Sequence, residues 1–220
     1  MKTEELIVEL VRAARPVTPL AAPWARVVRW AAAGGAFVTL VVVAVGARPT
    51  LASDVARPMF LALAAATIAC ACLAAVAAVR SSVPGLDGRG IRRALPGSGL
   101  ALWAGLLVVA LALGGNALAR VAAFPVHVGC IANVLAISAL PGLILVTMIR
   151  RGAPLEPRRS AAWTALAATS LAAAAVQFIC PIDDLAHHLV SHLAPVLVFA
   201  AVGATAGAST LTWIGRSPRR

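Results

Sequence analysis

The chain has 220 residues, 61% of them hydrophobic and 12% charged, with a mean hydropathy of +0.92 and a formal net charge of +11. Charge-free stretches of about twenty residues exclude an ordinary water-soluble domain and make the lipid bilayer the solvent of most of the chain. They also change the meaning of the positive charge, which in a soluble chain would point to nucleic acid.

The first element lies in "MKTEELIVELVRAARPVTPLAAPW". Thr3 is placed to cap a helix with Glu4 and Glu5 in its first turn, and Leu6, Ile7, Leu10 and Val11 recur on one apolar face, with Glu5 and Glu9 on the polar side. Arg15-Pro16 ends that helix, and prolines 16, 19 and 23 make the next stretch an extended spacer. A helix of about a dozen residues is marginal alone in water, so it needs a partner protein, the bilayer or the protein's own loops to lie on.

Six hydrophobic stretches follow, over 27–46, 59–79, 98–118, 130–149, 160–180 and 193–214. Each is long enough to cross a hydrocarbon core of roughly 30 Å as a helix, and must be helical because lipid offers backbone amides no partner. The expected fold is therefore all-α: a six-helix bundle over 27–215, preceded by an arm and spacer over 1–26 and followed by a basic tail over 216–220. The chain begins "MKTEE" and its first apolar run is too long for a cleavable leader, so insertion without cleavage is expected.

Arginine and lysine sort the loops. Sixteen of the 19 basic residues fall at the amino end, after the second and fourth stretches, or at the carboxyl end; only Arg48, Arg57 and Arg120 lie in the opposite loops. The positive-inside rule then puts both termini in the cytoplasm and, in a bacterial chain, the opposite loops in the periplasm. Cys70 and Cys72, in "TIACACLAAV", fall mid-membrane on opposed helix faces and read as small core residues. Small residues in "AAAGGAF" and "GGNALA" read as close helix packing.

Chemistry concentrates on the sparsely basic side. "FPVHVGC" places His127 and Cys130 at the start of the fourth stretch, and "FICPIDDLAHHLVSH" places Cys180, Asp183, Asp184, His187, His188 and His192 between the fifth and sixth. Stretches four and five form a hairpin through "RRGAPLEPRR", whose centre is equidistant from Cys130 and Cys180, so the two thiols are expected at one depth. Two chemistries fit: a disulfide in an oxidising compartment, or a thiolate and imidazole ligand set for a transition metal. If the segment after Pro181 is an α-helix, Asp184, His188 and His192 share a face at i, i+4 spacing, with Asp183 and His187 as a neighbouring pair. The alternative is that the aspartates only cap a helix and the histidines are interfacial polar groups.

Phosphate loops, nucleophile elbows and His-Glu-x-x-His motifs are all absent from the sequence, and its stretches carry no ionisable group at their centres. No catalytic residue is expected, and no direct nucleic-acid binding; a metal or small-molecule transporter and a membrane thiol oxidoreductase stand as alternative readings.

The ordered set "TEELIVELVRAARPV", "GARPTL", "RSSVPG", "HVGC", "IRRGAPLEPR" and "CPIDDLAHHLVSH", spread over the whole chain, resembles the NrsF family of bacterial integral-membrane anti-sigma factors. The resemblance implies an inner-membrane negative regulator of an extracytoplasmic-function sigma factor. Its paired cysteines map onto Cys130 and Cys180 as the sensing residues, open to a metal ion or an oxidant. His127, Asp183, Asp184, His188 and His192 are their possible support. The sigma-holding segment maps onto the amino-terminal arm, with Leu6, Ile7 and Leu10 as the apolar contact and Glu5 and Glu9 as the charged one.

Overall fold

A computed structural model describes residues 2–14, 19–86, 91–152 and 154–212. The described residues are helical with no strand, and five helices are long and apolar enough to cross a membrane. These are α2 (Pro23–Val45), α4 (Pro58–Ser81), α7 (Val128–Arg150), α8 (Pro157–Ile179) and the stretch Leu185–Gly207. A sixth is obtained if Gly97–Leu113 of α5 (Ile91–Leu113) and α6 (Ala117–Ala123), bent by 107° between them, count as one span. α1 (Thr3–Ala13), α3 (Leu51–Asp54) and α9 (Leu185–His187) are shorter, and a π-helical turn, His188–Leu193, leads into α10 (Ala194–Thr212).

Several boundaries differ from expectation for local reasons. Lys2, not Thr3, is the N-cap of α1, because the Glu5 carboxylate turns back to accept the Lys2 backbone N–H at 3.1 Å. Pro23 opens α2 rather than closing the spacer: a proline at the first helical position gives up an N–H that would have no partner there. α5 stops at Leu113, short of 118, because Gly115 (φ 69°) and Asn116 (φ 50°) adopt left-handed conformations that end a helix and turn α6 away. The expected stop at Arg15-Pro16 and the tail 216–220 lie outside the described residues.

α8 is the hub, packing against α10, α4, α7 and α2. Its buried face is Ala167, Ala168, Ser170 and Ala172–Ala175, side chains short enough for four neighbours to approach one axis. Lipid tails are as apolar as leucine, so close contact between small residues holds such bundles together. Gly99 on α5 shows how close: a Cβ there would lie 2.7 Å from the Cα of Cys70 on α4. Cys70 is buried, with the Ser170 hydroxyl 3.4 Å from its sulfur, whereas Cys72 is half-buried beside a lateral groove.

At the basic end of the bundle the helices are pinned by polar bonds. Arg26 of α2, buried, donates to the Ser82 hydroxyl after α4 and to the Met148 carbonyl of α7, and Ser81 and Ser160 share a 2.8 Å bond. One turn deeper, the Trp30 indole N–H donates to the Pro141 carbonyl of α7 at 2.9 Å. α2, the helix that follows the amino-terminal arm, is thus tied twice to α7, the helix that carries Cys130.

Candidate metal and thiol site

The opposite end gathers the thiols and histidines. α7 starts at Val128 with His127 as its N-cap, which places Cys130 in its first turn; α8 ends at Ile179 with Cys180 as its C-cap. The two sulfurs lie 3.5 Å apart, so the equal depths expected from the α7–α8 hairpin are met by direct contact. Both thiols are free.

The histidines arrive by a route that α-helical periodicity does not give. Asp184 caps the next helix: its carboxylate accepts the backbone N–H groups of Ala186 at 2.7 Å and His187 at 3.4 Å. After one turn the ladder changes to π-helix over His188–Leu193. Pro195 explains the change, because it has no N–H for the Ser191 carbonyl and its ring would clash with that carbonyl in an α-helical turn. A π turn closes from i to i+5, and so brings His187 and His192 to one side. The Cys180 sulfur is 3.3 Å from His187 Nε2, and one donor atom from each of Cys130, Cys180, His187 and His192 lies within 4.8 Å of all the others. His187 and His192 rings meet edge to face at 5.0 Å. Both are fully buried, and His187 Nδ1 and His192 Nε2 have no hydrogen-bond partner among the described residues.

The i, i+4 alignment of Asp184, His188 and His192 is therefore corrected. Of the three, only His192 joins the cysteines. His188 meets His192 edge to face at 4.8 Å but lines a separate 220 Å³ cavity with Arg57, Phe60, Gln177 and Asp183. His127 stays at the rim, its ring 5.0 Å from that of His187 and its Nδ1 2.9 Å from the Pro125 carbonyl. His187 takes the place that spacing suggested for His188. The signal in the sequence was a five-residue His-His interval with a proline three residues after the second histidine.

Both aspartates are engaged by arginine. Asp183 pairs with Arg57 and, at 3.6 Å, with Arg48; these two arginines also grip the buried Asp54, each at 2.6 Å. Arg48 donates its backbone N–H to the Phe178 carbonyl at 2.9 Å, so the loop between α2 and α4 is sewn to the end of α8 beside Cys180. The Arg57 guanidinium is held further toward its charged form, first by its hydrogen bond to Asp183 and then, against some burial, by the charges of Asp183 and Asp54. Asp184 pairs with Arg120 of α6 at 2.9 Å. Burial pushes the Asp184 carboxyl up, but the Ala186 amide, Arg120 and the His187 amide together bring it below its ordinary value. Neither aspartate contributes to the four-donor cluster.

The cluster offers two thiols and two imidazoles, a set that suits a tetrahedral metal ion, and two thiols in contact that can also be oxidised to a disulfide. Residues 10–213 match the family model described as NrsF, negative regulator of sigma F. No curated protein and no solved structure matches the chain. With a helical bundle of five to six candidate spans and nearly complete coverage in agreement, the chain belongs to the NrsF family, and is a negative regulator of a sigma factor.

Proposed function

We propose that this regulator holds an extracytoplasmic-function sigma factor inactive at the bacterial inner membrane, with both termini in the cytoplasm, and releases it when Cys130 and Cys180 react with a metal ion or an oxidant on the periplasmic side. The arm is the observation that carries this reading. α1 buries none of its residues, and its apolar face is open: Ile7 is 54% exposed, Leu10 61% and Val11 68%. Eleven residues make a helix that is marginal in water unless its apolar face is covered. A hydrophobic groove on a sigma factor would take Leu6, Ile7 and Leu10, with Glu5 and Glu9 meeting basic surface that otherwise contacts promoter DNA.

At the other end, a divalent ion displaces two thiol protons, and an oxidant removes two protons and two electrons to join the sulfurs. Either event moves Cys130 at the head of α7, and α7 is hydrogen-bonded to α2 through Pro141 and Met148. A shift of α7 thereby reaches the helix that follows the arm.

The test is co-purification of full-length protein from native membranes, with identification of the bound protein, before and after metal or oxidant stress. A sigma factor should be captured at rest and lost on stress. Replacing Cys130, Cys180 or both by serine should blunt release to a similar extent, because the pair acts as one unit. Absence of any sigma factor from the wild-type complex, or normal release from the double variant, counts against the reading.

A further inference from the structure

We propose that the seam between α2 and α4 binds one phospholipid with an anionic headgroup, its phosphate on Arg80 and an acyl chain in the crevice that runs from Arg80 to Ile68. The seam lies on the side wall of the bundle, neither member of the thiol pair and no histidine lines it, and its chemistry is independent of the sensing proposed above.

Two cavities share this seam. The one at the basic end, of 430 Å³, lies between Trp24 and Val28 of α2 and Val76 and Arg80 of α4. The second, of 460 Å³, continues inward between Ala31, Gly35 and Val38 of α2 and Ile68 and Cys72 of α4, with Leu171 and Ala174 of α8 also lining it. Their continuity follows from helix periodicity. Ile68, Cys72, Val76 and Arg80 are spaced by four and share one face of α4, as Trp24, Val28, Ala31, Gly35 and Val38 share one face of α2. At 1.5 Å per residue the run from Arg80 to Ile68 covers about 18 Å, one leaflet of a roughly 30 Å hydrocarbon core with the headgroup level added. Gly35 shows that the crevice is open: a Cβ added there would meet no atom within 4 Å, whereas one on the neighbouring Gly34 would lie 2.9 Å from Leu171 Cδ2. The protein's own side chains do not fill the seam, and in a bilayer an apolar crevice open to the side takes an acyl chain.

Charge identifies the occupant. The Arg80 guanidinium is half-buried and donates to the Leu86 carbonyl at 3.1 Å; it forms no ion pair among the described residues, and no carboxylate lines either cavity. Five donors in a fixed fork suit a phosphate, and one hydrogen bond leaves most of them for it. Arg26, two residues from Trp24, is already committed to Ser82 and Met148. A zwitterionic headgroup would bring its own cation beside Arg80 with no carboxylate to receive it, so a net-anionic headgroup is preferred. Basic pockets between membrane helices recognise anionic headgroups in this way. Trp24, 71% exposed at the same mouth, is the residue type that anchors at headgroup level. A lipid here would fill the space between α4 and α2, the helix that follows the arm.

The experiment titrates the full-length protein, delipidated in detergent, with phosphatidylglycerol and separately with phosphatidylcholine of the same acyl chains, and counts bound lipids by native mass spectrometry. The first phosphatidylglycerol should bind at least about fivefold more tightly than phosphatidylcholine, the worth of one basic residue at an anionic surface. Arg80→Gln should remove that preference. Gly35→Leu, which fills the crevice, should weaken the first binding of both lipids to the level of the later, nonspecific ones. Gly105→Leu, at a glycine of α5 that also has open space beyond it but lines neither cavity, should bind as wild type. Circular dichroism establishes that each variant is folded; if Gly35→Leu is not, Val76→Phe narrows the same seam from α4 and takes its place. Equal affinity for the two lipids, a preference kept by Arg80→Gln, or undiminished binding by the variant that fills the seam overturns the proposal. Inorganic phosphate that displaces the lipid at equal concentration also overturns it, as does a stable pair of chains that retains no lipid, in which a second copy covers the seam.

Discussion

Pro195 decides which histidines face the cysteines, although it touches no ion and carries no polar side chain. Without it the turn over His188–Leu193 can return to α-helix, in which residues five apart lie about 140° apart around the axis. Pro195→Ala should therefore leave helicity unchanged or slightly higher while weakening Co²⁺ binding by at least about tenfold; equal binding would show that the π turn is not what sets the ligand geometry. Asp184 makes a second prediction. Its carboxyl is held below the ordinary value of 3.8 by the Ala186 amide, Arg120 and the His187 amide, against burial. A depressed folded value means stabilisation that is fully present above the unfolded value and lost as pH falls through the folded one. Thermal melts should accordingly show wild type more stable than Asp184→Asn near neutrality, with the gap closing only well into the acid range. A gap that grew on acidification would have the wrong sign and refute the assignment.

Among the elements, α1 is the one proposed to find its partner outside the chain, and its apolar stripe predicts how that partner would be lost. Leu6→Asp or Leu10→Asp would place an unpaired charge in the groove that the arm is proposed to fill, costing about 2–4 kcal/mol as at other interface hot spots. Sigma capture should fall accordingly in a pull-down while the membrane bundle accumulates normally; unchanged capture by both variants would remove the arm from the interface. The arm and the spans were readable from sequence because each is a repeating pattern: apolar residues every three or four positions, or long charge-free runs. The α7–α8 hairpin likewise placed Cys130 opposite Cys180, because equal distances from one turn mean equal depths. What sequence periodicity could not supply was any departure from the 3.6-residue period. The π turn brought His187 rather than His188 to the cysteines, and the left-handed pair Gly115 and Asn116 cut α5 short and turned α6 toward Asp184. Asp183 and Asp184 were candidate ligands by type, and only packing revealed that Arg48, Arg57 and Arg120 already hold them.

For the whole molecule the two ends of the bundle differ in chemistry, and the orientation proposed above rests on that difference. One end brings together the start of α2, the ends of α4 and α7 and the start of α8, with Arg26 buried among Ser82 and Met148, and the sequence segments that adjoin this end are rich in arginine. The other end holds the thiols, all four histidines and the paired charges of Arg48, Arg57, Arg120, Asp54, Asp183 and Asp184. Sixteen of the 19 basic residues adjoin the first end in sequence and three the other, and it is this Lys and Arg bias that the proposed cytoplasmic placement of the first end rests on. A reporter active only in the cytoplasm should thus be active when fused after Arg220 or within 150–159, and inactive when inserted near Asp183. The opposite pattern would put the arm on the wrong side of the membrane for a sigma factor, and the thiols in a reducing compartment, so that both the partner and the sensing chemistry would have to be abandoned together.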